Sequence, residues 1–132
     1  ARSVLLKCRS AVIQNCLFRG SVLQAIHIAA EGWWHEGIAC ENIIIRGNRF
    51  VDCGLTGHAS VGGVKAEMAV DAPSGTPQKH ILIENNLFDL PGVPHAVSIS
   101  NAEDVTLRGN VYLRCSKPVE IHDCLSVKNE DE

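Results

Sequence analysis

The chain has 132 residues, a formal net charge of -3, 45% hydrophobic residues and only 5% aromatic ones. That length holds one domain with one core, filled by small aliphatic side chains rather than rings. Both charge signs are mixed and no Lys/Arg cluster appears, so no nucleic acid and no anionic membrane is expected as a partner, and no apolar run reaches the length of a transmembrane helix.

Taken in chain order, one phrase recurs. Ala11-Val12-Ile13-Gln14-Asn15-Cys16-Leu17-Phe18 is followed by Ile43-Ile44-Ile45-Arg46-Gly47-Asn48-Arg49-Phe50, then by Ile81-Leu82-Ile83-Glu84-Asn85-Asn86-Leu87-Phe88 and Val105-Thr106-Leu107-Arg108-Gly109-Asn110-Val111-Tyr112. Cys16 stands where the later copies have Asn. A shorter phrase alternates with it: Ser3-Val4-Leu5-Leu6, Ala25-Ile26-His27-Ile28, Gly63-Val64-Lys65-Ala66, Ala96-Val97-Ser98-Ile99 and Pro118-Val119-Glu120-Ile121. Its period of two predicts strands with one buried face. Leu5, His27, Lys65, Ser98 and Glu120 fall on the outward face.

A unit that cannot bury its apolar face alone stacks on copies of itself. The prediction is an all-β, right-handed parallel β-helix, a solenoid of about five turns with two short strands per repeat. The Asn of each long phrase is expected at a bend, suited to left-handed backbone and bonding up the stack. The Phe or Tyr after it should stack in the core. Residues 1–127 form the expected single domain, with 128–132 as a polar tail. The chain opens on an already running repeat, which predicts a piece of a longer helix or a mature product. An open end of that kind invites end-to-end or edge-mediated association of copies.

Six cysteines occur without a Cys-x-x-Cys pair, so no zinc site is expected. Cys8 and Cys40 should be neighbours in adjacent turns, about 4.8 Å apart, within reach of a disulfide. Stacked buried thiols are the plainer reading.

Two long excursions interrupt the repeat at the same place, residues 29–39 and 67–78. In a stacked fold they rise side by side along the strand face that displays His27 and Lys65, and make a groove. It would hold Glu31, Trp33, Trp34, His35, Glu36, Glu67 and Asp71. Aromatic faces stack on sugar rings, and carboxylates bind hydroxyls or perform acid/base work. Glu36 and Glu67 are the catalytic candidates; Trp33, Trp34, His27, Lys65, Glu31, Asp71 and His35 are the substrate-binding ones. Each has a plainer reading: the tryptophans seal a corner, and the charged groups are solvated surface. The remaining histidines are scattered. Glu67, Ser100 and His122 share a column, but two separated ligands do not make a metal site. Calcium would need clustered carboxylates. No metal and no cofactor are expected.

Trp33-Trp34-His35-Glu36-Gly37, followed by Glu41-Asn42 and the phrase ending at Phe50, resembles a stretch of the α-1,3-galactosidase family that acts on blood-group-B-type sugars. Related bacterial β-helix proteins share it. Val64-Lys65-Ala66-Glu67 and His80-Ile81-Leu82-Ile83-Glu84-Asn85-Asn86 look like the next turn of that family, and the resemblance covers about residues 3 to 115. It implies a sugar site with Glu36 and Glu67 in it. Where the family carries acidic residues just before the Trp loop, Ala29 and Ala30 stand here.

The expected function is that of a carbohydrate-active β-helix, a glycoside hydrolase relative acting on galactose-containing or other glycans. A non-catalytic glycan-binding or structural module is the first alternative, favoured by Ala29 and Ala30. A polysaccharide lyase, with Lys65 or Arg46 taking the proton, is the second. A secreted or periplasmic location is expected over a cytoplasmic one.

Overall fold

The computed structural model of the chain describes residues 3–31, 40–54, 60–69, 75 and 77–131. These form fourteen strands: β1 (Val4–Leu6), β2 (Ala11–Gln14), β3 (Leu17–Arg19), β4 (Ile26–Glu31), β5 (Glu41–Arg46), β6 (Arg49–Val51), β7 (Val61–Ala69), β8 (Gln78–Glu84), β9 (Leu87–Asp89), β10 (His95–Ser100), β11 (Ala102–Arg108), β12 (Val111–Leu113), β13 (Val119–His122) and β14 (Leu125–Glu130). No helix occurs among the described residues. β14 therefore carries the chain through the first three residues of the segment expected as a tail. Lys128 pairs with Thr106, Asn129 with Leu107 and Glu130 with Arg108.

Every pairing is parallel, and the strands fall into three sheets. The first runs β1-β4-β7-β10-β13, the second β2-β5-β8-β11-β14 and the third β3-β6-β9-β12. Each strand pairs with its counterpart one repeat away, which is the arrangement of a parallel β-helix or solenoid. The long phrase gives two strands, not one, so each full repeat has three strands where two were expected. A bend with left-handed backbone divides the phrase into a second-sheet and a third-sheet strand.

The register aligns the copies residue for residue. Ile13 pairs with Ile45, Ile45 with Ile83 and Ile83 with Leu107. Ile26, Ile28, Ile43, Ile45, Ile81, Ile83, Ile99 and Leu107 are all fully buried in the middle of the stack. Phe18, Phe50, Phe88 and Tyr112 form one column of parallel rings with centroids 5.0, 4.6 and 5.3 Å apart. Ring stacking of this kind adds to what burial of the rings contributes.

At the bend, Asn48, Asn86 and Asn110 are buried and form a ladder. The backbone N–H of Asn48 donates to Asn86 Oδ1 at 2.9 Å, and that of Asn86 to Asn110 Oδ1 at 3.0 Å. Each Nδ2 donates back to a carbonyl one turn below: Ile13, Ile45 and Ile83 in turn. Asp131 accepts at one end of the ladder, from the N–H of Asn110. At the other end, the backbone N–H of Cys16 donates to Asn48 Oδ1.

The left-handed residue is not the ladder Asn but the one before it. Asn15, Gly47, Asn85 and Gly109 have φ of 55°, 65°, 54° and 67°. Asn and Gly alternate in that column for a steric reason. A Cβ on Gly47 would stand 2.6 Å from Asn15 Oδ1, and one on Gly109 would collide with Asn85 Oδ1.

β7 and β10 fall out of step once, between the pairs His95–Val61 and Val97–Val64. Gly62 and Gly63 sit at this irregularity. A Cβ on Gly63 would collide with the Ala96 carbonyl and lie 2.6 Å from the Phe88 ring. Neither backbone nor a stacked ring can move away freely. Gly63→Ala is therefore expected to destabilise the fold by about 1–3 kcal/mol, read as a lower urea midpoint with an unchanged slope.

All six cysteines are free thiols. Cys40 is buried, and its thiol contacts the Leu6 carbonyl at 3.4 Å. Burial pushes the thiols of Cys40, Cys53, Cys115 and Cys124 up from their ordinary value, which suits packing rather than nucleophilic chemistry.

Candidate functional site

The outward face of the first sheet is where chemistry gathers. In β4 and β7, Ile26, Ile28, Val64 and Ala66 point into the core. The alternation leaves His27, Lys65 and Glu67 on the other side. Register sets His27 of β4 opposite Lys65 of β7, and Ala29 opposite Glu67.

Glu67 reaches diagonally and is gripped from two directions. Its Oε1 lies 2.9 Å from His27 Nε2, and its Oε2 lies 3.2 Å from Lys65 Nζ. His27 is only 6% exposed, and the Glu67 side chain 28%. The His27 hydrogen bond, opposed by burial and assisted by the Lys65 ammonium, holds the Glu67 carboxyl down to about 2. Glu67 is thus a fixed carboxylate. It can accept a proton, attack an electrophilic carbon or bind hydroxyls. It has no proton to donate near neutrality.

Gln78 fixes the main chain beneath it. Gln78 is fully buried at the start of β8, and its Nε2 donates to the Glu67 carbonyl at 2.7 Å. The amide oxygen of Gln78 has no partner among the described residues. Next door, the Ser100 hydroxyl donates to the Ala66 carbonyl at 3.3 Å. Asn101 Nδ2 donates to the Gly75 carbonyl at 3.0 Å.

The two long excursions are rooted side by side. β4 and β7 leave the sheet at paired residues, Glu31 and Ala69. The chain returns at Glu41 and Lys79, which are also paired. Trp33, Trp34, His35, Glu36 and Asp71 lie between these roots and outside the described residues. Glu31 is the last residue of β4 and is described through its backbone alone. Of the nine expected site residues, the structure brings together His27, Lys65 and Glu67.

Residues that were not among the expected site residues lie beneath this face or further along it. Gln78 reads as one more polar residue before a strand, though it stands in a row of small buried ones, where Ala102 is its register partner. Glu120 and His122 share a face on β13, with Ser98 in register beside Glu120. Their alternate spacing was the signal available. Among the described residues, no group of three His, Cys, Asp or Glu is set to hold a metal ion.

No family model matches the chain. It is 32% identical over 111 residues to α-1,3-galactosidase A of Bacteroides fragilis, covering 80% of this chain and 18% of that protein. It is 25% identical over 130 residues to α-1,3-galactosidase A of Akkermansia muciniphila, covering 96% of this chain and 20% of that one. The chain spans about a fifth of the length of the curated relatives it matches. The relationship to these proteins is distant.

Proposed function

We propose that the chain is a right-handed, five-turn segment of a carbohydrate-active β-helix that binds galactose-containing glycans and takes part in hydrolysing them. The observation that carries this reading is the Glu67 carboxylate, held ionised by His27 and Lys65 on the face beside the two excursions. The right hand is supported by the near-universal hand of parallel crossovers. The sugar class is supported by the names of the distant relatives. A glycan substrate of this type favours a secreted or periplasmic setting.

Glycoside cleavage needs one group to protonate the leaving oxygen and one to attack the anomeric carbon or activate water. Glu67, without a proton of its own, takes the second role. Glu36 is assigned the first, with Trp33 and Trp34 as platforms for the sugar ring. His27 and Lys65 orient Glu67. Glu31, His35 and Asp71 are assigned to substrate hydroxyls.

The test follows tryptophan fluorescence and product together as α-1,3-linked galactosides are added. Release of galactose, reduced at least about 10²-fold in Glu36→Gln and in Glu67→Gln, is the expected result. A fluorescence change with no product, and none with either variant, would leave a glycan-binding module. That outcome would fit Ala29 and Ala30 in the pairing positions beside Glu67 and Met68. An unsaturated product absorbing in the ultraviolet, formed from uronate-containing pectic fragments added in parallel, would make the protein a lyase. No change of either kind in a folded sample would overturn the carbohydrate reading.

A further inference from the structure

A second carboxylate cluster lies further along the same face. Register leads from Lys65 of β7 to Ser98 of β10, and from Ser98 to Glu120 of β13. Glu120 is contacted from three sides. The Ser98 hydroxyl donates to its Oε1 at 3.1 Å, and His122 Nε2 lies 3.2 Å from the same oxygen. His95 Nε2 lies 2.9 Å from Oε2. His95 is itself anchored, because its Nδ1 donates to the Lys117 carbonyl at 2.6 Å. Burial pushes the Glu120 carboxyl up, but the Ser98 hydroxyl and the two imidazoles outweigh it and hold it below the usual carboxylate range.

The cluster is braced on its inner side and open on its outer one. A carboxylate offers about four lone-pair positions, and three of Glu120's are engaged. The Glu120 side chain is 34% exposed and that of His122 is 61% exposed. Among the described residues the His122 ring makes its contact through Nε2, to Glu120, which leaves Nδ1 available. An acceptor oxygen and a ring nitrogen thus face outward together. That pairing matches two neighbouring hydroxyls of a sugar, one donating to the carboxylate and the other meeting the imidazole. Two strand steps separate β7 from β13, about 9.6 Å, and Glu67 stands two residues along β7 from the Lys65–Ser98–Glu120 row and leans away from β13 toward His27 of β4, which sets the two carboxylates farther apart than one pyranose ring and its hydrogen bonds reach.

We propose that Glu120 and His122, braced by His95 and Ser98, form a second hydroxyl-binding subsite that takes the neighbouring sugar of a glycan held at Glu67. This rests on the carbohydrate reading above and adds to it the length of the ligand: at least two linked sugar residues along the outer face of the first sheet.

Calorimetric titration of the whole chain with α-1,3-galactobiose and with free galactose tests it, using wild type, Glu120→Gln, His122→Ala and Glu67→Gln. Glu120→Gln is expected to weaken disaccharide binding about tenfold and to leave galactose binding unchanged. His122→Ala should do the same, and Glu67→Gln should weaken both ligands. Ring signals of His122 should shift in wild-type NMR spectra when the disaccharide is added. Disaccharide binding lost in Glu67→Gln but intact in Glu120→Gln would overturn the subsite and leave the carbohydrate reading standing. A lower melting temperature in Glu120→Gln without weaker binding would reduce the cluster to a staple between β10 and β13. If wild type binds neither sugar, the carbohydrate reading and the subsite fall together.

Discussion

Asn86→Ala is expected to destabilise the protein by about 3–5 kcal/mol, because it orphans two buried backbone groups at about 1–3 kcal/mol each and removes a side-chain bond as well. In the native ladder Asn86 Oδ1 accepts from the N–H of Asn48, and Asn86 Nδ2 donates to the Ile45 carbonyl at 3.0 Å and to Asn110 Oδ1 at 3.0 Å. Alanine supplies neither an acceptor nor a donor, and Asn86 is 2% exposed, so water does not replace them. Urea unfolding gives the number. Asn86→Asp should recover part of the loss, since it restores the acceptor for Asn48 but not the donor for Ile45. A change below about 1 kcal/mol in the alanine variant, the value of one ordinary exposed hydrogen bond, would show that the ladder is not what holds the bend.

Acid should weaken the protein through Glu67, and Glu67→Gln should remove that weakness. The folded state lowers this carboxyl from 4.5 to about 2, so the folded form binds its proton less readily than the unfolded chain. Stability from the ionised group is therefore complete above about pH 4.5 and lost as the pH falls toward 2. The amount is on the order of 3–4 kcal/mol, since each tenfold loss of proton affinity on folding corresponds to about 1.4 kcal/mol. Urea midpoints measured from pH 7 down to pH 2.5 should decline more steeply for wild type than for Glu67→Gln. At pH 7 the variant should be the less stable of the two, because His27 and Lys65 lose their carboxylate. Parallel pH profiles would mean that neither contact holds Glu67 in solution.

The frame was legible because repetition is a statement about space. Four copies of one phrase in one order require equivalent residues to meet, and Phe18, Phe50, Phe88 and Tyr112 meet as that order demands. The pattern alone places the bend one residue late. Asn is common in left-handed backbone, but the ladder needs the second residue of the pair for its amide and the first for its φ, and only the alternation Asn15, Gly47, Asn85, Gly109 betrays which is which. The third sheet was hidden because its strands are three residues long and run on directly from the bend.

At the candidate site, period-two alternation placed His27 and Lys65 in one outward row. The diagonal from Glu67 back to His27 depends on side-chain reach across two strands, which alternation does not encode. Glu120 escaped for a related reason. Its partners His95 and His122 look scattered along the chain, and only the register of β10 and β13 draws them to one carboxylate.

The paired roots at Glu31 and Ala69, and again at Glu41 and Lys79, make one corner of the molecule a socket. Between β10 and β11 the same corner is crossed by Asn101 alone, while β4 to β5 and β7 to β8 span far longer stretches. The flanking strands keep register in every case, so the frame is indifferent to what is spliced there, and doubling a loop's length adds only about 0.6 kcal/mol of closure entropy. Residues 32–39 and 70–77 can thus be treated as interchangeable cartridges. A combinatorial library randomised in those two stretches would vary ligand choice while the ladder and the ring column stay untouched, and the same freedom is the route by which copies of this frame can diverge in specificity without refounding the fold.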